Sequence, residues 1–335
     1  MQAGEHRLLI REREQREAEE ARLSPAAARS ADTRGRRREE PPDPYRTAFE
    51  RDRDRITHAK AFRRLKHKTQ VFINPEGDHY VTRLTHTLQV TQIARSLAAA
   101  LTLNEPLAEA IALGHDVGHS PFGHTGEEAL SPYFPGVGWH HAAQSVRVFE
   151  VLEDLNLTWE VRDGIRAHTW KISPPPATQE ALCVRYADRI AYLTHDALDA
   201  VRAGLLTLDS FPAATRRRVG APGRRWIGEM ITAVIDESAE AGEVRMDADT
   251  LAVMHELRDF MFERVYLGEE NLIQKERAIG IIRRLVDHHL ENAADVPESY
   301  RDNAADPVTQ VVDYVSGMTD RFALATHERL FGGGA

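Results

Sequence analysis

Between Thr82 and Leu101, residues His86, Val90, Ile93, Leu97 and Leu101 recur at spacings of 4, 3, 4 and 4, which is one face of a helix. The pattern returns twice. Asn104 supplies an N-cap and Pro106 a first-turn proline, and the helix they open carries Leu107, Ile111 and His115 before ending near Gly118. A third helix, about Gln179 to Val201, follows the Pro174-Pro175-Pro176 run and aligns Val184, Asp188, Ala191, His195 and Leu198. Three helices with narrow apolar stripes bury those stripes against one another, which points to a helical bundle. Helical patterns also cover about 141–172, Trp226 to Glu237, Ala248 to Leu290, and Pro307 to Leu330. Residues 204–223 read as a basic loop. The one β element expected is a hairpin around Val71 to Val81, turned by Asn74-Pro75-Glu76-Gly77. With no βαβ alternation, repeat or glycine-rich phosphate loop, the fold class is all-α.

Residues 6–22 are a charged helix or frayed tail, and the proline-rich 23–45 an extended linker. The charged N-terminus has no signal-peptide core, and no apolar run approaches the roughly 18 residues that span a bilayer. A soluble, cytoplasmic chain without membrane contact is therefore expected. The lone cysteine, Cys183, excludes an internal disulfide and a cysteine-based zinc site.

Histidine is the outlying residue type: nine of the 16 fall between His58 and His141. Each long helix ends or interrupts its apolar stripe with a metal-ligand type: His86, then His115 with Asp116 beside it, then Asp188. Burying several such groups together is costly unless something pairs with them. A divalent cation satisfies all of them at once. Two imidazoles and two carboxylates leave open positions around an octahedral ion, which suits Mn²⁺, Fe²⁺, Co²⁺, Ni²⁺ or Mg²⁺ better than a closed zinc site.

The segments RLTHTLQV (83–90), GHDVGHSPFGHTGEEAL (114–130) and YADRIAYLTHDALDA (186–200) resemble the HD-domain phosphohydrolases. They resemble most closely the deoxyguanosinetriphosphate triphosphohydrolase-like branch, as do residues 46–72 with their KTQVF element and INPEGDHYVTRLTH (73–86). The resemblance covers at least residues 30–200. It implies an HD-type core over 46–205, preceded by the 1–45 arm and followed by a C-terminal helical region, 206–335, packed on it. The implied metal ligands are His86, His115, Asp116 and Asp188, the positions the helical faces pick out. The implied acid/base histidine is His124 with Glu127 as its partner, three residues on. His119 is expected to face phosphates, and His141 matches a further active-site histidine. Relatives usually carry Asn after that histidine, where this chain has Ala142.

Substrate contacts implied in the same way are Gln70, Arg83, Tyr192 and Asp196. Gln70 and Asp196 would meet a deoxyribose 3′-hydroxyl, Tyr192 the sugar or phosphates, and Arg83 a phosphate. Arg63, Arg64, Lys66 and Lys68 are further phosphate candidates. The expected activity is metal-dependent hydrolysis of a deoxynucleoside triphosphate to deoxynucleoside and inorganic triphosphate, with Mn²⁺ or Mg²⁺ as cofactor. The family also implies a homo-oligomer, often a hexamer. Two alternatives remain open: another HD-type phosphohydrolase (a monophosphatase or phosphodiesterase), or a regulatory protein binding nucleotide or single-stranded nucleic acid. The second would use Arg216-Arg217-Arg218 with Arg224-Arg225 beside Trp226, together with the basic cluster over 51–68.

Overall fold

The computed structural model describes residues 9–70, 81–266 and 269–332. The N-terminal arm holds the short helix α1 (Arg13–Glu19) and then irregular chain. That chain is tied to the core by polar groups. Glu20 accepts from the Asn104 side-chain amide at 3.0 Å, and Thr33 and Arg34 donate to Glu160. Arg36 pairs with the fully buried Asp52. Thr47 caps α2 (Ala48–His58), and α3 (Lys60–Arg64) follows it directly.

Thr82 accepts from the Thr85 amide and opens α4 (Arg83–Ala100); Asn104 accepts from the Leu107 amide and opens α5 (Glu105–Gly114). The central layer continues through α6 (His124–Leu130), α7 (His141–Arg147), α8 (Trp159–Ala167) and α9 (Gln179–Arg202). Helix α4 packs on α5 and α9, and α5 also on α2 and α8. Val90, Ile93, Leu97, Leu107, Ile111 and Val184 are buried there, as the stripes predict. Each fully buried side chain of this size contributes about 1.5–3 kcal/mol.

The C-terminal half departs from the sequence reading at three places. The basic loop contains α10 (Ala213–Val219), whose Thr215 and Val219 are buried one turn apart before Gly220 (φ +81°) ends it. After α11 (Arg224–Ala241), the pattern expected over Ala248 to Leu290 is divided into α12 (Ala248–Met261), a π-helical turn Phe262–Tyr266, and α13 (Glu269–Glu291). The last segment is also divided. After the short α14 (Glu298–Arg301), α15 (Pro307–Ser316) stops at Gly317, and Thr319 caps a separate α16 (Asp320–Phe331). Among the described residues there is no strand, only an isolated antiparallel bridge between Thr69 and Thr82. Apart from Val81, the expected hairpin lies outside the described residues.

Two apolar cores result. The larger joins the central helices with residues through Val265. The smaller is built from α13, α15 and α16 and takes in Phe122, Ala129, Leu130 and Trp139 from around the GHDVGHSPFGH segment. That segment is therefore held between two cores. Phe122 occupies the left-handed region (φ +61°), a conformation costing about 1–3 kcal/mol. Its buried ring and its amide, which donates to Asp320 Oδ1 at 3.0 Å, hold it there. Gly118 faces the backbone of α7, where a Cβ would collide with the Ser145 amide nitrogen and the His141 carbonyl. Gly118→Ala is accordingly expected to destabilise the protein by about 1–3 kcal/mol or more. A urea midpoint unchanged from wild type would show that this contact is not tight.

Candidate metal centre

His115 follows the last residue of α5, and its Nδ1–H donates to the Ala112 carbonyl at 2.6 Å. That bond fixes the tautomer and leaves a lone pair on Nε2, a buried atom with no hydrogen-bond partner. His86 from α4 and Asp188 from α9 converge on it. His86 Nε2 is 3.1 Å from Asp188 Oδ1, and His115 Nε2 is 3.9 Å from the same oxygen. One ligand atom from each of the three residues lies within 4.8 Å of the others. Ligand atoms about 2.1 Å from an ion lie about 3 Å apart in an octahedral arrangement, so the His86–Asp188 edge already has that length. Nitrogen and carboxylate donors around an orphaned imidazole nitrogen fit a divalent cation. Burial would raise the Asp188 carboxyl, but the hydrogen bond with His86 and the nearby His115 hold it below its ordinary range.

Asp116, the fourth expected ligand, stands to one side. Its Oδ1 is 3.5 Å from His115 Nε2 and 3.3 Å from His119 Nε2, while Oδ2 accepts from Arg83 at 2.7 Å. Arg83 is almost wholly buried and also points at the Gln70 carbonyl, 3.5 Å away. In this arrangement the guanidinium holds a candidate ligand. Gly123 (φ +58°) leaves the room that the guanidinium occupies. Gln70 Oε1 is buried with no partner.

Beyond Asp116 the histidines form an array. The His119 ring stacks on His141, centroids 3.9 Å apart and 11° from parallel, and burial pushes the His119 pKa down. Glu127 Oε2 accepts from His141 Nδ1 at 2.9 Å and lies 3.4 Å from His124 Nδ1. The expected partner of His124 is thus shared, and its shorter bond goes to His141. Burial would raise the Glu127 carboxyl, but its bonds with His124 and His141 hold it well below the carboxylate range. His124 is the exposed member, with 75% of its side chain accessible. His141 is buried, whereas His140 caps α7, its Nδ1 accepting from the Ala142 amide at 3.1 Å. Tyr192 and Asp196 lie one and two turns beyond Asp188 on α9, about 6 and 12 Å along its axis. Among the described residues, Asp196 does not bring a ligand atom into the metal-ligand clusters.

Sequence reasoning missed His168. It is fully buried at the end of α8, its ring centroid 5.0 Å from that of His115 and its Nε2 3.3 Å from His141 Nε2. Burial, then the neighbouring His115, lowers its pKa to about 3. The signal was present, because Val161, Ile165 and His168 continue one helical face at spacings of 4 and 3. Lys68 and Asp320 were missed as supports. Lys68 is buried rather than free for phosphate, donating to the His119 and Ser316 carbonyls, and burial lowers its pKa to about 7. Arg64 is likewise engaged, with the Tyr300 hydroxyl (3.0 Å) and the Gly317 carbonyl (3.3 Å). Trp226, expected beside the arginine triplet, is fully buried and donates to the Gly220 carbonyl, so it offers no exposed ring for base stacking.

A family model described as the HD domain matches residues 83–193, and one described as a phosphohydrolase-associated domain matches residues 244–329. The chain is 46% identical to a deoxyguanosinetriphosphate triphosphohydrolase-like protein of Caldanaerobacter subterraneus subsp. tengcongensis, over 92% of each chain. It is 44% identical to a protein of the same description from Desulfatibacillum aliphaticivorans, over 97% of this chain and 98% of the relative. Among solved structures it is similar to a hypothetical protein from Aquifex aeolicus, at 20% identity and a TM-score of 0.48, covering 84% of this chain and 71% of that one.

Proposed function

Because the chain belongs to the deoxyguanosinetriphosphate triphosphohydrolase-like family of HD-domain proteins, we propose that it hydrolyses deoxynucleoside triphosphates to deoxynucleoside and inorganic triphosphate. HD-type phosphohydrolase chemistry on a nucleotide is what the family gives; the substrate and the bond cleaved are the proposal. The observation that carries it is the buried Nε2 of His115, left without a partner where His86 and Asp188 converge.

His86, His115 and Asp188, with Asp116 at the edge, would hold a divalent ion. Such an ion supplies Lewis acidity toward a phosphoryl oxygen and lowers the pKa of water. The protein's own groups account for the rest. Ionised Glu127 accepts the Nδ1 proton of His124 and so leaves Nε2 of that exposed ring available. His124 is then placed to take or give a proton at the reacting centre. In the overall reaction a water oxygen bonds to the α-phosphorus, the bond to the 5′-oxygen breaks, and a proton ends on that oxygen. Arg83 fixes the Asp116 carboxylate through its 2.7 Å bond. Gln70, Tyr192 and Asp196 are proposed to receive the deoxynucleoside part.

Turnover measured across the four deoxynucleoside triphosphates against Mn²⁺, Mg²⁺, Co²⁺, Ni²⁺ and Fe²⁺ tests this reading. Activity with at least one pair, lost on chelation and restored by the same ion, is expected. Equal activity in metal-free protein would overturn it.

A further inference from the structure

We infer that His288, His289 and Asp295 hold a divalent transition-metal ion at the C-terminal end of α13, outside the first cluster of His86, His115 and Asp188. Each of the three residues brings one ligand atom to within 4.8 Å of the others, as in the first cluster. His289 is only 2% exposed, and among the described residues neither of its ring nitrogens has a hydrogen-bond partner.

Helical periodicity puts the imidazole there. Ile282, Leu285 and His289 recur at spacings of 3 and 4 on α13, so His289 continues a stripe that is buried in the smaller core. The Tyr314 ring packs against it, centroids 5.2 Å apart and 72° from parallel. A neutral imidazole carries one N–H and one lone pair, and burying such groups unpaired is costly. His288 sits about 100° round the helix, and its Nε2 is 3.2 Å from Asp295 Oδ2. A hydrogen bond accounts for that pair but leaves His289 unexplained. A cation accounts for all three residues.

The turn after α13 is tied so that the carboxylate lies over the histidines. The Asn292 amide and the Asn292 side-chain amide both donate to the His288 carbonyl at 2.9 Å, and the Asp295 amide donates to the Asn292 carbonyl at 3.0 Å. Ligand atoms about 2.0–2.1 Å from a tetrahedral zinc ion lie about 3.3 Å apart. The 3.2 Å edge between His288 and Asp295 is close to that length. Asp295 is exposed, so water can take the remaining position. Two imidazoles and one carboxylate suit Zn²⁺, Co²⁺ or Ni²⁺ better than Mg²⁺. Arg329 opposes positive charge at His289, but it is exposed and screened by solvent. The ion would brace the end of the helix that packs on α6, which carries His124 and Glu127. Tyr133, just after α6, donates to Asp287 Oδ1 at 2.5 Å, one residue before His288.

The test is a differential count. Wild type, His289→Leu and Asp295→Ala are stripped by chelation and brought to equilibrium with Zn²⁺ by dialysis. Zinc per chain is then measured by mass spectrometry, beside the thermal midpoint with and without zinc. Each variant is expected to bind one zinc fewer than wild type, whatever the first cluster retains. The rise in midpoint on adding zinc should be smaller by about 2–5 °C in each variant than in wild type. Equal zinc in all three proteins would overturn the site. A fall in Asp295→Ala alone would also overturn it, because the exposed His288–Asp295 pair would then collect zinc without His289. A fall in His289→Leu alone would remove Asp295 from the ligand set and overturn the site as drawn. If His289→Leu does not fold, as judged by circular dichroism, the exposed Asp295→Ala variant decides through its count and its midpoint together.

Discussion

Asp188→Ala is expected to lose the ion held with His86 and His115, and with it at least about a hundredfold in turnover, while the helical fold remains. The estimate is a lower bound. Removing a partner that merely orients a metal ligand costs about 10–100-fold, and Asp188 would be a ligand itself. Without its carboxylate, the first cluster would consist of two buried neutral imidazoles, one of them His115 with its Nε2 already unpartnered. Helix α9 does not need Asp188 for packing. Val184, Ala187, Ile190 and Ala191 are fully buried on it, and alanine is the best helix former. Metal content, turnover and circular dichroism of the variant check this together. A metal-loaded, active Asp188→Ala protein would remove the proposed centre.

His124→Ala is expected to behave differently, retaining wild-type metal content while losing roughly 10²–10⁴ in rate. His124 lies outside the first ligand cluster, and its exposed ring touches the site through Glu127 Oε2 and through His119, with centroids 5.0 Å apart. Its loss leaves the 2.9 Å bond between Glu127 and His141 in place, so the buried array keeps its order. Steady-state rates beside metal analysis separate the two roles. Full activity would take His124 out of proton transfer. A loss of metal equal to the loss of rate would make it a ligand.

The three helices that present the first cluster were legible because their apolar residues follow a helical period and their first turns carry caps. Thr82, Asn104 and Thr178 each accept from an amide three residues on. What joins these helices to the rest was not legible. The Asp320 carboxylate accepts from the Thr69 amide and hydroxyl across 251 residues of sequence, and no local pattern reports such a pairing. The same holds for Lys68, whose charge suggested an exposed phosphate ligand but whose ammonium is buried beneath the His119 carbonyl. The C-terminal breaks were misread for another reason. Apolar periodicity runs on through Gly317, and it is the Thr319 cap that restarts the chain as a separate helix. His168 shows the opposite case, a residue that the rule used for His86, His115 and Asp188 would have found.

The central claim is that the bond cleaved lies between the α-phosphorus and the 5′-oxygen. The most direct test is phosphorus-31 magnetic resonance of a completed reaction between the metal-loaded protein and a deoxynucleoside triphosphate. Intact tripolyphosphate alongside free deoxynucleoside is the expected result. Orthophosphate, or pyrophosphate with a deoxynucleoside monophosphate, would contradict it.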